Sequence, residues 1–179
     1  IALHTSSEGS RLMNRSLGLL LIFVCASPRY AQPIEAFRQT YNAPTNHSDD
    51  GTSIAADGSG GCYVGGDVYS PGTGMTDARL VAYGPQGAVR WTFGAPLAGE
   101  TERVQQVRRT PTIPDVWMLS RTANALNQRF LRVTRVTALG QTVFEATLNP
   151  GSAGNEYRAD LFVDAQGFGY VTFGRNGTS

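Results

Sequence analysis

An imidazole and two carboxylates crowd the stretch Thr45-Asn46-His47-Ser48-Asp49-Asp50-Gly51. Such residues can hold a metal or exchange protons. A zinc site, however, needs three or four ligands converging on one point, and the other histidine, His4, lies far upstream. Adjacent Asp49 and Asp50 diverge on an extended strand, so the stretch reads as a polar turn. A second pair, Asp57 and Asp164, opens the phrases "DGSGGCYV" and "DAQGFGYV". Glycosidase chemistry sets two carboxyls ~5–9 Å apart across a cleft, whereas these two fall in equivalent turns, and turn chemistry explains both. "DGSGG" contains Gly-Ser-Gly without the two-residue spacing of a nucleophile elbow. No Asp-x-Asp-x-Asp-Gly calcium loop and no phosphate-binding glycine loop occurs. No catalytic, cofactor-binding or metal-binding residue is assigned on these grounds, and no cofactor is expected.

Cys25 lies in an apolar run, which leaves Cys62 alone. A lone cysteine makes neither an intrachain disulfide nor a metal site, so Cys62 reads as a half-buried strand residue. Lipidation of Cys25 would want a small residue before it, and Val24 stands there. The 15 basic residues are all arginine, the net charge is +1, and the densest cationic spot is the pair Arg108-Arg109. Nucleic-acid binding needs clustered cations, so no nucleic-acid partner is expected. Asn46 and Asn176 open glycosylation sequons, relevant only in a eukaryotic host.

The elements that carry these residues repeat. Ile54, Val107 and Leu161 correspond, as do Tyr63, Trp117 and Tyr170, at steps of 53 or 54 residues. Asp49, Glu102 and Glu156 form an acidic column with the same period. "RLVAYGPQGAVRWTF" from Arg79 matches "RVTRVTALGQTVFEA" from Arg132, pairing Gly87 with Gly140 and Trp91 with Phe144 at 53 residues. Periods of this size point to propellers or solenoids. Each unit reads as short strands: 53–56, 62–66, 77–83 and 88–93 in the first, and 104–107, 116–120, 129–136 and 142–148 in the second. Pro111 and Pro114 mark a turn of the second unit. The predicted fold is all-β, made of four-stranded β-propeller blades. Blade 1 spans 49–101, blade 2 spans 102–155 and a partial blade 3 spans 156–179, an incomplete propeller with further blades expected beyond Ser179. The aromatic columns are expected to fill the interfaces between blades, with Trp91 and Phe144 as equivalent buried positions.

At these columns the chain resembles the bacterial SBBP-type repeat family of seven-bladed β-propellers. "IAADGSGGCYVGG" from Ile54, "AYGPQGAVRWT" from Ala82 and "LFVDAQGFGYVTFG" from Leu161 carry the resemblance, which covers nearly all the chain after residue 48. The second unit departs from it, with a proline-containing turn in place of Asp-x-x-Gly. The resemblance implies a propeller fold and secretion, and no catalytic motif defines the family. The expected function is a non-enzymatic module for binding or scaffolding at a bacterial cell surface, its partner an unidentified protein or glycan. The alternative is the N-terminal part of an enzyme propeller, either a quinoprotein dehydrogenase or a sugar-active hydrolase. "AYGPQGAVRW" resembles the Gly-x-x-x-Trp docking motif of quinoproteins, although Gly84 and Gln86-Gly87 replace the Asp and Thr-Gly of that motif.

Residues 1–12 read as an upstream extension, 13–31 as a secretory signal peptide and 32–48 as a linker. Arg15 precedes the run "LGLLLIFVCA", which is shorter than the ~20 apolar residues that span a bilayer. No stable membrane span is expected, and the product is placed in the periplasm, at the cell surface or outside the cell. Cleavage after Ala26 or Ala31 fits the small residues there. N-terminal sequencing of the secreted product is expected to start at Ser27 or Gln32, and a mature chain still beginning near Met13 would refute the signal.

Overall fold

The computed structural model describes residues 49–94, 99–149 and 157–175. The extension, signal peptide, linker, Cys25, His47, Glu156 and both sequon asparagines lie outside the described residues. Ten strands are described and no helix. Strands β1 (Asp49–Ala56), β2 (Cys62–Ser70), β3 (Met75–Tyr83) and β4 (Val89–Phe93) form one antiparallel sheet in chain order. Strands β5 (Glu100–Arg109), β6 (Val116–Asn124), β7 (Arg129–Val136) and β8 (Thr142–Leu148) form a second, and β9 (Tyr157–Val163) pairs with β10 (Gly169–Arg175). The all-β expectation therefore holds, in four-stranded antiparallel sheets.

Several strands outrun the sequence reading. β1 reaches back to Asp49, β2 runs on to Ser70 and β5 covers Glu100–Arg109. Asp49, Asp50 and Gly51 are weak strand formers, but Val68, Asp67 and Gly66 supply their ladder. Asp49 and Asp50 thus stand on a strand and not in a polar turn.

The repeat extends to backbone irregularities. A bulge between Gly51 and Ser53 in β1 returns between Val104 and Gln106 in β5, 53 residues on. A second, at Ala82/Tyr83, returns at Arg135/Val136. The turns before β4 and β8 share their closing bonds, Gly84 N–H to Ala88 O and Thr137 N–H to Gln141 O, both 2.8 Å. Gly87 and Gly140 both adopt φ 81° there, a conformation that favours glycine. A one-residue slip of the period falls in the turn after the first strand of each sheet. Asp57 N–H closes on Gly61 O, while Thr110 N–H closes on Asp115 O with one more residue between.

The second sheet buries both faces. Towards the first sheet, Val104, Val107, Val116, Met118 and Val136 meet Tyr63, Ala78, Leu80 and Ala82. Towards β9 and β10, Trp117, Leu119, Leu131 and Val133 meet Leu161. Gly65 permits the first contact, because a Cβ there would stand 2.5 Å from Val107 Cγ2. The aromatic columns reach across: Tyr63 donates to Pro114 O at 3.1 Å, and Trp91 Nε1 donates to Ala138 O at 2.6 Å. Trp91 lies on the Gly140 turn, where an added Cβ would come within 3.1 Å of the indole, and Trp117 lies on Gly169 in the same manner.

The columns are not buried throughout. Tyr63 and Trp117 are buried, but Trp91 is only half-buried, and Phe144 is 46% and Tyr170 53% exposed. The pairs match in geometry, since Tyr63–Trp91 and Trp117–Phe144 both stand 5.8 Å apart. The exposure differs because a following sheet's turn covers Trp91, whereas no described turn covers Phe144. Trp91→Ala is expected to cost about 3 kcal/mol and Phe144→Ala roughly 1 kcal/mol, in proportion to the apolar surface each keeps from water. Urea unfolding of the two variants checks this, and equal losses would contradict the difference in cover.

Candidate functional site

Polar side chains gather at two levels of this stack. The first level is the turn that follows β1, β5 and β9. Asp57 is buried and accepts from Ser59 N–H at 2.7 Å, Ser59 Oγ at 2.8 Å and Gly61 N–H at 2.9 Å. Arg90 closes on it at 2.9 Å while its guanidinium stands 5.5 Å from the centre of the Tyr63 ring. Burial alone would raise the Asp57 pKa, but the Ser59 and Gly61 donors and Arg90 together hold it below the usual carboxylate range. Asp164 repeats the turn, accepting from Gln166 N–H at 3.0 Å, Phe168 N–H at 2.8 Å and the Tyr170 hydroxyl at 3.0 Å. Thr110 stands in the place of Asp57 in the second unit, and Asp115 supplies the carboxylate from the far end of the turn. Arg135 reaches it at 2.8 Å while lying 5.7 Å from the Trp117 ring centre. The same aromatic–guanidinium–carboxylate cluster is thus rebuilt from different positions. Asp57 is held by backbone, hydroxyl and arginine donors, Asp115 by Arg135 and Asp164 by backbone donors and Tyr170, which fits a structural role.

The second level was not singled out from sequence beyond its acidic column. Glu102 is buried, and Ser120 Oγ donates to its Oε1 at 2.5 Å. Arg132 stands 3.5 Å from the other oxygen and 2.7 Å from Glu145. Burial pushes the Glu102 carboxyl above its ordinary range, against the pull of Ser120 and Arg132. These side chains share one face because they pair across it: Glu102 with Thr122, Ser120 with Arg132, and Thr134 with Glu145. The face is the one turned to the first sheet, so the apolar contact gives way along the strands to a charged cleft. The recurrence of Asp49 with Glu102 and of Arg79 with Arg132 was the available signal. Their convergence depends on the register between strands.

Elsewhere, Arg108 is exposed and Arg109 half-buried on successive positions of β5, so the pair makes no patch. Cys62 is a free, half-buried thiol whose pKa is raised by burial and by nearby Asp57, against Arg90. Among the described residues no group of three His, Cys, Asp or Glu side chains could hold a metal ion, and no helix is long and apolar enough to cross a membrane. No protein-family model matches the chain, and no curated protein matches it.

Two opposite pH responses follow. Glu102, Asp67 and Asp77 all have pKa values raised mainly by burial. Their contribution is full at low pH and is lost as pH rises through the folded-state values. Asp57 is lowered, so its contribution is present above the unfolded value and is lost as pH falls through the folded one. Stability is expected to rise from neutrality into mild acid and to fall below about pH 4. Urea midpoints measured against pH check this: Glu102→Gln is expected to flatten the rise and Asp57→Asn the fall.

Proposed function

We propose that the chain is a secreted, non-enzymatic β-propeller module, akin to the SBBP-type repeats, that serves binding or scaffolding at a cell surface. The observation that carries this reading is the two-sided second sheet. It is stacked upon by the first sheet and itself stacks on β9 and β10, with Tyr63 bonded to Pro114 O of the following turn at the first contact and Trp117 seated on Gly169 of β10 at the second. A unit that can be both covered and covering builds an array, and arrays of this kind present extended surfaces. At the second contact a groove of about 450 Å³ stays open between Trp117, Phe144, Leu148, Phe168 and Val171. A further sheet of the same kind fits it, because Trp91, the counterpart of Phe144, is covered by such a sheet. The Gly87–Trp91 spacing that resembles a cofactor-docking motif is taken up by the seat on Gly140 and the bond to Ala138.

Sedimentation velocity over a range of concentrations tests the stacking. The chain is expected to associate, and Phe168→Asp, a change at a 65% exposed position, to weaken association at least tenfold. A chain that stays monomeric throughout would remove the stacking reading. Surface labelling of intact source cells tests the location, and a wholly cytoplasmic product would remove that part.

A further inference from the structure

Two cavities of about 350 and 280 Å³ share Arg132 and Glu145 in their linings, and Glu102 lines the larger. The larger lies between the two sheets, where the first sheet sets Ala78, Thr92, Phe93 and Gly94 opposite the long polar side chains of the second. Three carboxylates, Glu100, Glu102 and Glu145, face one guanidinium, Arg132, which leaves two negative charges in excess. Arg132 already spends its two terminal nitrogens on Glu102 and Glu145.

The independent observation comes from two threonines. Thr134 is 1% and Thr122 3% exposed, and neither hydroxyl oxygen has a hydrogen-bond partner. Thr134 lines the larger cavity and Thr122 the smaller. A buried hydroxyl left unpaired is costly, so native structures rarely keep one without a use. Each unpaired hydroxyl can accept as well as donate, and together with the carboxylate oxygens it makes the cleft rich in acceptors under an excess of negative charge. An ammonium group supplies three donors and a positive charge in the smallest volume. Phe93, Met118 and Phe130 line the same walls and suit a methylene stem. All 15 basic residues of the chain are arginine, so no lysine of its own can fill the cleft.

We propose that the cleft between the first two sheets binds a primary alkylammonium group, held by Glu102, Glu145 and Thr134. The group comes either from a lysine side chain of a partner protein or from a free aliphatic diamine. The inference rests on the binding reading above and gives it a site. The groove that tests stacking lies on the opposite face of the same sheet, so either can fail alone.

The test is titration of the full chain at pH 7.5, followed by amide chemical shifts and calorimetry. The probes are 1,4-diaminobutane and Nα-acetyl-lysine methylamide, with 1,4-butanediol and the Nε-acetylated lysine derivative as neutral comparators. Saturable shifts confined to strands β5 to β8 and to the facing residues Ala78, Thr92, Phe93 and Gly94 are expected with the two amines and not with their comparators. The tighter amine identifies the source, a lysine side chain or a free diamine. Glu145→Gln is expected to weaken binding at least tenfold. Thr134→Val is expected to weaken it also, without lowering the melting temperature, because it removes an unpaired hydroxyl at constant shape. Both variants keep the proposal falsifiable where Glu102→Gln fails to fold. No saturable response to either amine, an equal response to the butanediol, or preferred binding of a neutral hexose would overturn the proposal. So would a Thr134→Val variant that binds as the parent does.

Discussion

The structure depends on how the edge strands β5 and β9 satisfy their outward-facing amides. An edge strand leaves alternate N–H groups without a ladder partner, and burying them unpaired is costly. The preceding sheet provides the acceptors. Val107 N–H donates to Ser53 Oγ at 2.9 Å, and Leu161 N–H donates to Gln106 Oε1 at 2.6 Å. These are the same positions one repeat apart, with a longer side chain at the second. Val104 N–H finds Asp67 Oδ1 at 2.7 Å, which accounts for a carboxylate buried in an otherwise apolar contact. With these bonds made, each sheet's first strand is locked against that of its neighbour, and the apolar faces meet in one register.

That register divides the contact between the first two sheets into two unlike halves. Near the bulges and turns it is dry and aliphatic, and Gly65 lets the two backbones approach closely. Towards the other end the same face carries Glu102, Thr122, Arg132 and Glu145. The dry half supplies the hydrophobic contribution to stability. The polar half is less favourable to bury, since its ions lose hydration. Glu102 shows this in its raised pKa. A fold secured at one end can keep such a cluster at the other.

The sequence was legible where a property belongs to one unit and recurs in the next. The 53- to 54-residue period, the strand order and the paired turn glycines Gly87 and Gly140 are local facts of this kind. Burial of an aromatic is not local, because it depends on what lies over the unit. Trp91 and Phe144 have matching sequence contexts and different exposures for that reason. The cleft was hidden more deeply. Its residues come from four strands, and only pairing and the bulge between Val104 and Gln106 put them on one face. A shift of one residue at that bulge would turn Glu102 to the opposite side.

Differences between the two described four-stranded sheets also explain why the first does not repeat the ion network of the second. The first-sheet counterparts of Glu102, Ser120, Arg132 and Glu145 are Asp49, Gly66, Arg79 and Thr92. Gly66 has no hydroxyl to hold an acid and Thr92 no charge, and Arg79 donates instead to Gly94 O at 2.8 Å. Three differences, Asp to Glu, Gly to Ser and Thr to Glu, separate a backbone-directed arginine from one at the centre of an ion network. The edge-amide contacts, meanwhile, tolerate the exchange of Ser53 for Gln106 because both carry an acceptor of adequate reach. The scaffold thus constrains the positions that join sheets and leaves the far half of each face free to vary. Chemistry in such a fold is expected where neighbouring units differ most, and not where the repeat is strongest.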